Sequence, residues 1–314
     1  MGEFGLIERI RQRSRDQFGA VVGIGDDAAV LRPTAGCDIV ATTDSLIPKR
    51  HFMPDWPAAD VGYLAMQSNL SDLAAMGATP RWALLALTLP EYDRHWLDAF
   101  LDGFLEAAQP HAVGLVGGNL ARGNLNVCTQ LIGEVDQGRA VTRTGARPGD
   151  RLVVTGTPGD AAAALALGQR SPRGLTERLR RPTARMMAGA VLARQARAMI
   201  DLSDGLTADL GRLLTPPLGA ELRLDQLPAS PALERAINDP ERRRELQLAG
   251  GSDYELLVVL PGDLDMNLVE LSHQAGVSLT EIGRVTDSGR LIGLLSGQAP
   301  VEIAGRGWDH FRDE

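Results

Sequence analysis

At 314 residues, with 44% hydrophobic and 23% charged positions, the chain is long enough for two ordinary globular domains and too apolar to be disordered. A net charge of −8 argues against general nucleic-acid binding, and the 4% aromatic content leaves the cores to Val, Leu, Ile and Ala. Lys49 is the single lysine, so a bound polyphosphate would have to rely on metal ions or arginines rather than a lysine cradle.

In chain order, Glu3 to Arg13 is expected as a short amphipathic helix with Phe4, Ile7 and Ile10 on one face. Ala28 to Leu31 and Asp38 to Thr42 are expected strands. Pro57 to Gly77 is predicted helical, with Pro57 near its start and Gly77 at its end. A strand at Trp82 to Leu89 stops at Pro90, a helix covers Asp93 to Ala108, and strands cover Val113 to Val116 and Val127 to Val135. The turn-rich run Thr144 to Asp150 lacks periodicity and marks the expected boundary between domains of residues 1–145 and 146–314.

The second half restarts with a strand at Arg151 to Val154 and an alanine-rich helix at Ala161 to Leu167. Further helices are expected at Thr183–Arg197, Leu206–Leu214 and Leu264–Ala275, and strands at Glu221–Leu224, Glu255–Leu260, Ser278–Val285 and Leu291–Leu295. Residues 170–182 and 238–246 are expected as charged connections. Strands and helices mix in both halves without strict alternation, which predicts an α+β (mixed α/β) fold with each sheet covered by helices on one side.

No run reaches 18 apolar residues and the start of the chain has no signal-peptide core, so a cytoplasmic protein without a membrane segment is expected. Cys37 and Cys128 have neither metal-ligand nor disulfide spacing and are expected as small buried thiols.

Five acidic clusters carry the chemistry: Gly25-Asp26-Asp27, Thr42-Thr43-Asp44, Asn69-Leu70-Ser71-Asp72, Asp201-Leu202-Ser203-Asp204 and Gly251-Ser252-Asp253. Carboxylates beside small polar residues suit Mg²⁺, which takes hard oxygen ligands, one or two carboxylates per ion, and substrate phosphates. A lone aspartate at a strand or helix junction is otherwise a cap or turn former. Asp72 differs, because a mid-helix aspartate among Leu70, Leu73, Ala74 and Ala75 costs stability unless paired. Asn69, three residues earlier, shares its face. Gly117-Gly118-Asn119 follows a strand and is either a plain turn or a place where backbone N–H groups meet phosphate. Arg143 is either a surface residue or a phosphate contact near the domain boundary. Ser203 or Asp204 either caps a helix or joins the site. His51 lies in a Pro-flanked loop after Asp44, and Trp308 either stacks on a ligand or anchors the tail. No Walker motif, protein-kinase lysine or complete dinucleotide fingerprint is present.

In sequence, the stretches Gly23 to Asp27, Thr43-Asp44, His51-Phe52, Asn69 to Ala78, Thr142-Arg143, Val154 to Gly159, Ile200 to Leu206, Gly250-Gly251, Asp253 to Leu256 and Asp309 to Phe311 resemble the thiamine-monophosphate kinase family. That family sits within the superfamily of aminoimidazole ribonucleotide synthetase and selenophosphate synthetase. The resemblance implies ATP-dependent phosphorylation of thiamine monophosphate to thiamine diphosphate with several Mg²⁺ ions. It implies a homodimer built by the N-terminal domains, whose mixed sheet and helices form the interface, and a C-terminal α/β domain closing over the nucleotide. Carried over residue by residue, it makes Asp27, Thr42, Thr43, Asp44, Asp72, Asp201 and Asp204 metal ligands. Gly118, Asn119, Arg143 and Ser203 would contact ATP, and His51 and Trp308 would hold the thiamine end. Two positions depart from the family: Asn119 stands where an aspartate usually ligates metal, so its amide oxygen would coordinate without charge, and Ser252 stands where a glutamate usually lies near the substrate.

The implied reaction needs no general base, because the second pKa of a phosphate monoester is about 6 and the attacking oxygen is already ionised near neutral pH. The remaining obstacle is repulsion between two polyanions, which bridging metal ions relieve. Asn119 and Ser252 leave a second reading open at this level: a non-catalytic thiamine-phosphate or nucleotide binder, or another ATP-using enzyme of the superfamily.

Overall fold

The computed structural model describes residues 3–14, 19–264, 267–305 and 307. They fall into two compact units: one runs up to Leu73 and from Ala78 to Arg139, the other takes Ala74–Gly77 and everything from Ala140 onward.

The first unit carries α1 (Glu3–Arg13), a short ladder of β1 (Ala20–Val22) and β2 (Val30–Leu31), then β3 (Cys37–Leu46), α2 (Ala58–Ala75), β4 (Thr79–Leu89), α3 (Arg94–Ala108), β5 (Gly114–Arg122) and β6 (Asn126–Asp136). The sheet order is β3-β6-β4-β5, with β4 and β5 parallel and the other pairs antiparallel. Val61, Leu64, Leu70 and Leu73 are all buried on α2, apolar around much of its circumference as a helix packed on more than one side must be. Its second neighbour is α3. A Cβ at Gly62 would sit 2.0 Å from the Phe100 carbonyl oxygen, and one at Gly103 would sit 1.8 Å from that of Ala59. Two glycines therefore permit the close crossing. Asp93 starts α3 by accepting the His95 and Trp96 amides at 2.8 and 3.1 Å.

The second unit contains β7 (Arg151–Thr155), α4 (Asp160–Leu167), α5 (Arg173–Arg180), α6 (Met186–Leu192), β8 (Ala198–Asp201), α7 (Leu206–Leu213), β9 (Gly219–Arg223), α8 (Pro231–Ala236), α9 (Pro240–Ala249), β10 (Leu256–Leu260), α10 (Leu268–Ala275), β11 (Leu279–Thr286), β12 (Leu291–Leu294) and β13 (Val301–Glu302). Its sheet runs β13-β12-β9-β11-β7-β10-β8, with only β12 and β9 parallel among the pairs. Leu257 and Val259 of β10 enter one core with Leu206, Leu210 and Leu213 of α7. Leu256, Val258 and Leu260 enter another with Ala188, Leu192, Leu271 and Ala275 of α6 and α10. Helices thus cover both faces, where the sequence reading expected one. Uninterrupted runs such as Leu256 to Leu260 bury both faces of a strand, and that is the pattern here.

The two charged connections hold helices, α5 and α9. Conversely, the long helix expected at Thr183–Arg197 shrinks to α6, followed by the strand β8. No described helix is long and apolar enough to cross a membrane.

Candidate functional site

In the first unit, Thr42, Thr43 and Asp44 lie inside β3, which pairs with β6 from Cys37↔Asp136 to Leu46↔Val127. The expected strand ended at Thr42; ladder pairing carries it through the polar residues. Asp44 stands opposite Thr129, Thr129 opposite Leu85, and Leu85 opposite Gly118. Directly opposed residues share a sheet face, and residues two apart share it too. Thr42, Asp44, Thr129 and Gly118 therefore belong to one face. α2 meets it there, because the Thr42 hydroxyl donates to Asp72 Oδ2.

Three buried oxygens on these elements have no hydrogen-bond partner among the described residues: Asn69 Oδ1, Thr129 Oγ1 and, on the other face of β6, Asn126 Oδ1. The Asn69 amide nitrogen does have partners, donating to Ala65 O at 3.1 Å and Ser68 Oγ at 3.3 Å. Buried polar atoms are nearly always satisfied, so unpartnered oxygens on the helix that carries Asp72 and on the strand position opposite Asp44 are a chemical signal. Carboxylate, hydroxyl and amide oxygens form a donor set that fits a hard divalent cation and no soft one. Among the described residues, no group of three or more His, Cys, Asp and Glu is gathered for a metal. A cation here would thus draw on hydroxyls, amides and water beside its carboxylates.

Thr43 and Asn119 are separated from that set. Thr43 aligns with Gln130 and Leu84, and Asn119 with Ala86 and Cys128, on the opposite sheet face. The Thr43 hydroxyl lies 3.5 Å from Cys128 Sγ. Both cysteines, expected as buried thiols, are only half-buried. Gly117-Gly118-Asn119 was expected beyond a strand end and instead lies within β5, just after a register shift that skips Val116. Gly118 has φ 151°, and a Cβ there would sit 1.9 Å from the Leu85 carbonyl oxygen, so only glycine lets β5 lie against β4.

Asp27 is exposed between β1 and β2, its amide donating to Asp26 Oδ1 at 2.8 Å. His51 is half-buried, and its Nδ1 accepts the Ile47 amide at 2.9 Å. The neutral ring therefore carries its proton on Nε2. A cavity of about 430 Å³ opens beyond Asn119, lined by Leu6, Leu89, Glu91, Tyr92, Ala121 and Arg122 among others.

In the second unit, Asp201 ends β8 opposite Leu256 and is buried. The loop after it is zipped to the loop before β10: Leu202 N donates to Glu255 O at 2.8 Å, Tyr254 N to Leu202 O at 2.9 Å, and Ser252 N to Ser203 O at 2.8 Å. Ser252 adopts φ 65° and Tyr254 φ 52° to make these contacts. A Cβ at Gly251 would sit 2.5 Å from the Ser203 carbonyl oxygen. Asp201, Ser203, Asp204 and Ser252 are thereby brought to one edge of the sheet. Arg143 is exposed and makes no ion pair with the described residues. Trp308 lies outside the described residues.

Sequence reasoning passed over the residue that organises this edge. Asp209 Oδ2 accepts the amides of Ser203, Asp204 and Gly205 at 3.1, 3.1 and 3.2 Å. Arg212 Nη1 joins Asp209 Oδ1 at 2.6 Å to Asp204 Oδ2 at 2.5 Å. Burial pushes the Asp209 carboxyl up to about 6, against the pull of the amides and Arg212. Its signal was present: Leu206, Leu210 and Leu213 form the apolar stripe of α7, and an aspartate at the next stripe position is out of place unless satisfied. Beneath lies a second acidic group. Asp253 accepts the Gly159 amide with both oxygens, at 3.0 and 2.9 Å, and complete burial raises its carboxyl well above the usual range. Glu255 is buried and held by Arg178, Arg185 and Thr155.

Acidic, oxygen-rich edges on two mixed α/β units define the class. Residues 25–135 match the model for the AIR synthase related protein N-terminal domain, and residues 147–295 match its C-terminal counterpart. The thiamine-monophosphate kinase of Escherichia coli strain K12 is 41% identical over 99% of this chain and 98% of its own length. The crystal structure of thiamine-monophosphate kinase from Stenotrophomonas maltophilia K279a superposes with a TM-score of 0.86 at 39% identity, covering 95% of this chain and 98% of that one. AaThiL complexed with AMPPCP and TMP gives a TM-score of 0.76 at 30% identity, covering 99% and 97%. The chain belongs to the thiamine-monophosphate kinase family and is a kinase.

Proposed function

We propose that this kinase transfers the γ-phosphoryl group of ATP to thiamine monophosphate, giving thiamine diphosphate by direct in-line attack, with Mg²⁺ as the metal. One observation carries the reading: the family match spans both domains and nearly the whole chain. The AaThiL complex, which holds an ATP analogue and TMP together, supports the choice of substrates.

When bound, Mg²⁺ would neutralise phosphate charge and align the two anions. The chain's own residues do the rest. Asp44, Asp72 and Thr42 would hold the metal on one face of the first unit's sheet, while Thr43 and Asn119, on the other face, and the exposed Asp27 would serve a different ion or the phosphates. Asp201 and Asp204 would do so on the second. Gly118, Arg143 and Ser203 would add contacts to ATP. The cavity beyond Asn119 offers Leu6, Leu89 and Leu120 as apolar walls and Glu91 as an acceptor, which suits a heteroaromatic base. His51 would offer its Nε2–H to the substrate, and Ser252 and Trp308 are proposed as further substrate contacts. The acceptor phosphate oxygen is ionised near pH 7, so no side chain need remove a proton.

The sheet face away from α2 carries Ile39, Ala41, Leu84, Ala86 and Ile132, exposed or half-buried, and supports a homodimer formed through the first unit. We place the enzyme in the cytoplasm, where both substrates would be available. The test is ADP release in a coupled assay with ATP, Mg²⁺ and thiamine monophosphate. Release that does not depend on thiamine monophosphate, or no release at all, sinks the proposal.

A further inference from the structure

We infer that Arg212 is the resident counter-ion of Asp204, competing with the divalent cation for that carboxylate and yielding to it on binding. This rests on the reading of Asp204 as a metal ligand. The guanidinium bridges two acids of unequal standing. Asp209 is 1% exposed and fixed by three backbone amides, so it is a permanent anchor. Asp204 is 25% exposed and Arg212 is 44% exposed, so the contact between them is open to water and can exchange. Leaving Asp204 therefore does not strand Arg212, which keeps Asp209 as its partner at 2.6 Å.

Charge accounts for the need. Asp204 Oδ2 and Asp209 Oδ1 lie 2.5 and 2.6 Å from the same guanidinium nitrogen, so the two carboxylates are close enough to repel each other. Arg212 relieves that repulsion by bridging the two carboxylates. A divalent ion offers Asp204 twice the charge and displaces it. The cost to metal affinity is small, because a solvent-exposed ion pair is weak, on the order of threefold in a binding constant. Arg212 is thus a positioning residue that tunes metal affinity downward, not a catalytic one.

Mn²⁺ binding to the full chain, followed by electron paramagnetic resonance, tests this independently of turnover. Arg212→Met keeps the aliphatic stem and removes the charge; it should tighten Mn²⁺ about threefold. Arg212→Lys should restore the wild-type constant. Asp204→Asn should weaken Mn²⁺ about tenfold, and adding Arg212→Met to it should bring no tightening. Damage to the fold weakens binding, so a gain in affinity cannot come from misfolding. If Asp204→Asn weakens Mn²⁺ but Arg212→Met leaves it unchanged or weaker, the counter-ion role is overturned while the metal reading stands. If Asp204→Asn has no effect, Asp204 holds no metal and both fall.

Discussion

Replacing Glu255 by alanine asks how much of the second unit's stability rests on one buried ion cluster. Arg185 reaches Glu255 with Nε and Nη2, both at 2.6 Å, Arg178 Nη2 at 2.5 Å, and the Thr155 hydroxyl at 2.6 Å. Glu255 is 0% exposed, and Arg185 and Arg178 are 17% and 23% exposed. Removing one member of a buried pair costs about 3–5 kcal/mol, because the opposite charge stays desolvated and unpaired. Three features favour the low end. Arg178 retains Asp160 at 3.9 Å, and both guanidinium groups have partial access to water. Thr155 Oγ1 also keeps the Leu256 amide at 2.8 Å. The expected loss is about 3 kcal/mol. With a urea dependence of about 2 kcal/mol per molar, the midpoint should fall by about 1.5 M. Urea titration of wild type and variant, with hydrogen exchange on β8 and β10 as a local probe, measures it. Arg185→Met in the Glu255→Ala background removes one stranded cation and should recover about 1 kcal/mol or more. A midpoint shift below about 0.3 M with unchanged slope, or no recovery in the double variant, refutes the reasoning.

Asp44→Ala or Asp72→Ala should lower turnover at least about a hundredfold at saturating Mg²⁺, the scale of losing one preorganised electrostatic element, while near-normal rates in the purified variants would remove these residues from the site. Asn119→Asp should lower the Mg²⁺ concentration at half-maximal ADP release, and an unchanged titration midpoint contradicts a ligand role for that position. Gly118→Ala forces a Cβ to within 1.9 Å of a carbonyl oxygen, so β5 must shift; the variant should lose about 2 kcal/mol or more in urea and show a raised KM for ATP, and a wild-type midpoint counts against the packing argument. Asp209 supplies a pH dependence. Its folded pKa, about 6, lies above the ordinary 3.8, so between those values the folded chain keeps a proton that the unfolded chain has released. Stability should therefore fall as pH rises from about 4 to about 6, by up to about 3 kcal/mol from this group, and level off above that range. Asp209→Asn should flatten that part of the profile, and parallel profiles for the two proteins would rule the assignment out.

Strong periodic elements were legible before the structure. α1 and the apolar part of α2 follow directly from spacing, and β4 from its unbroken apolar run ending at Pro90. What misled was polarity within regular elements. Thr43, Asp44, Gly117, Gly118 and Asn119 resemble strand ends or turns by composition, yet each is held in a ladder by neighbours distant in sequence. α5 and α9 were passed over as connections because Arg and Glu dominate them, although Leu175 and Leu179 of α5, four apart, pack into one core. Two-sided burial of the second sheet was written in Leu256 to Leu260 but needed the absence of alternation to be taken at face value.

The candidate site was legible as a set of residue types and only partly as an arrangement. Motifs singled out Asp44 and Asp72 as candidates, but nothing in their spacing says that strand alternation separates Asp44 from Thr43 and Asn119 across a sheet. That fact follows from register, which pairing partners decide. Likewise, the Asp201–Gly205 segment reads as a cluster of ligands, while its shape depends on Asp209, whose three amide contacts no local pattern announces. Asp72 was singled out because an acid among leucines demands compensation. The same argument applied to α7 selects Asp209, since Leu206, Leu210 and Leu213 leave it facing the core. A buried acid on an apolar stripe is thus a more general pointer to site architecture than an acid in a glycine-rich loop. The loop acid can be satisfied by water, whereas the buried one must be satisfied by the fold.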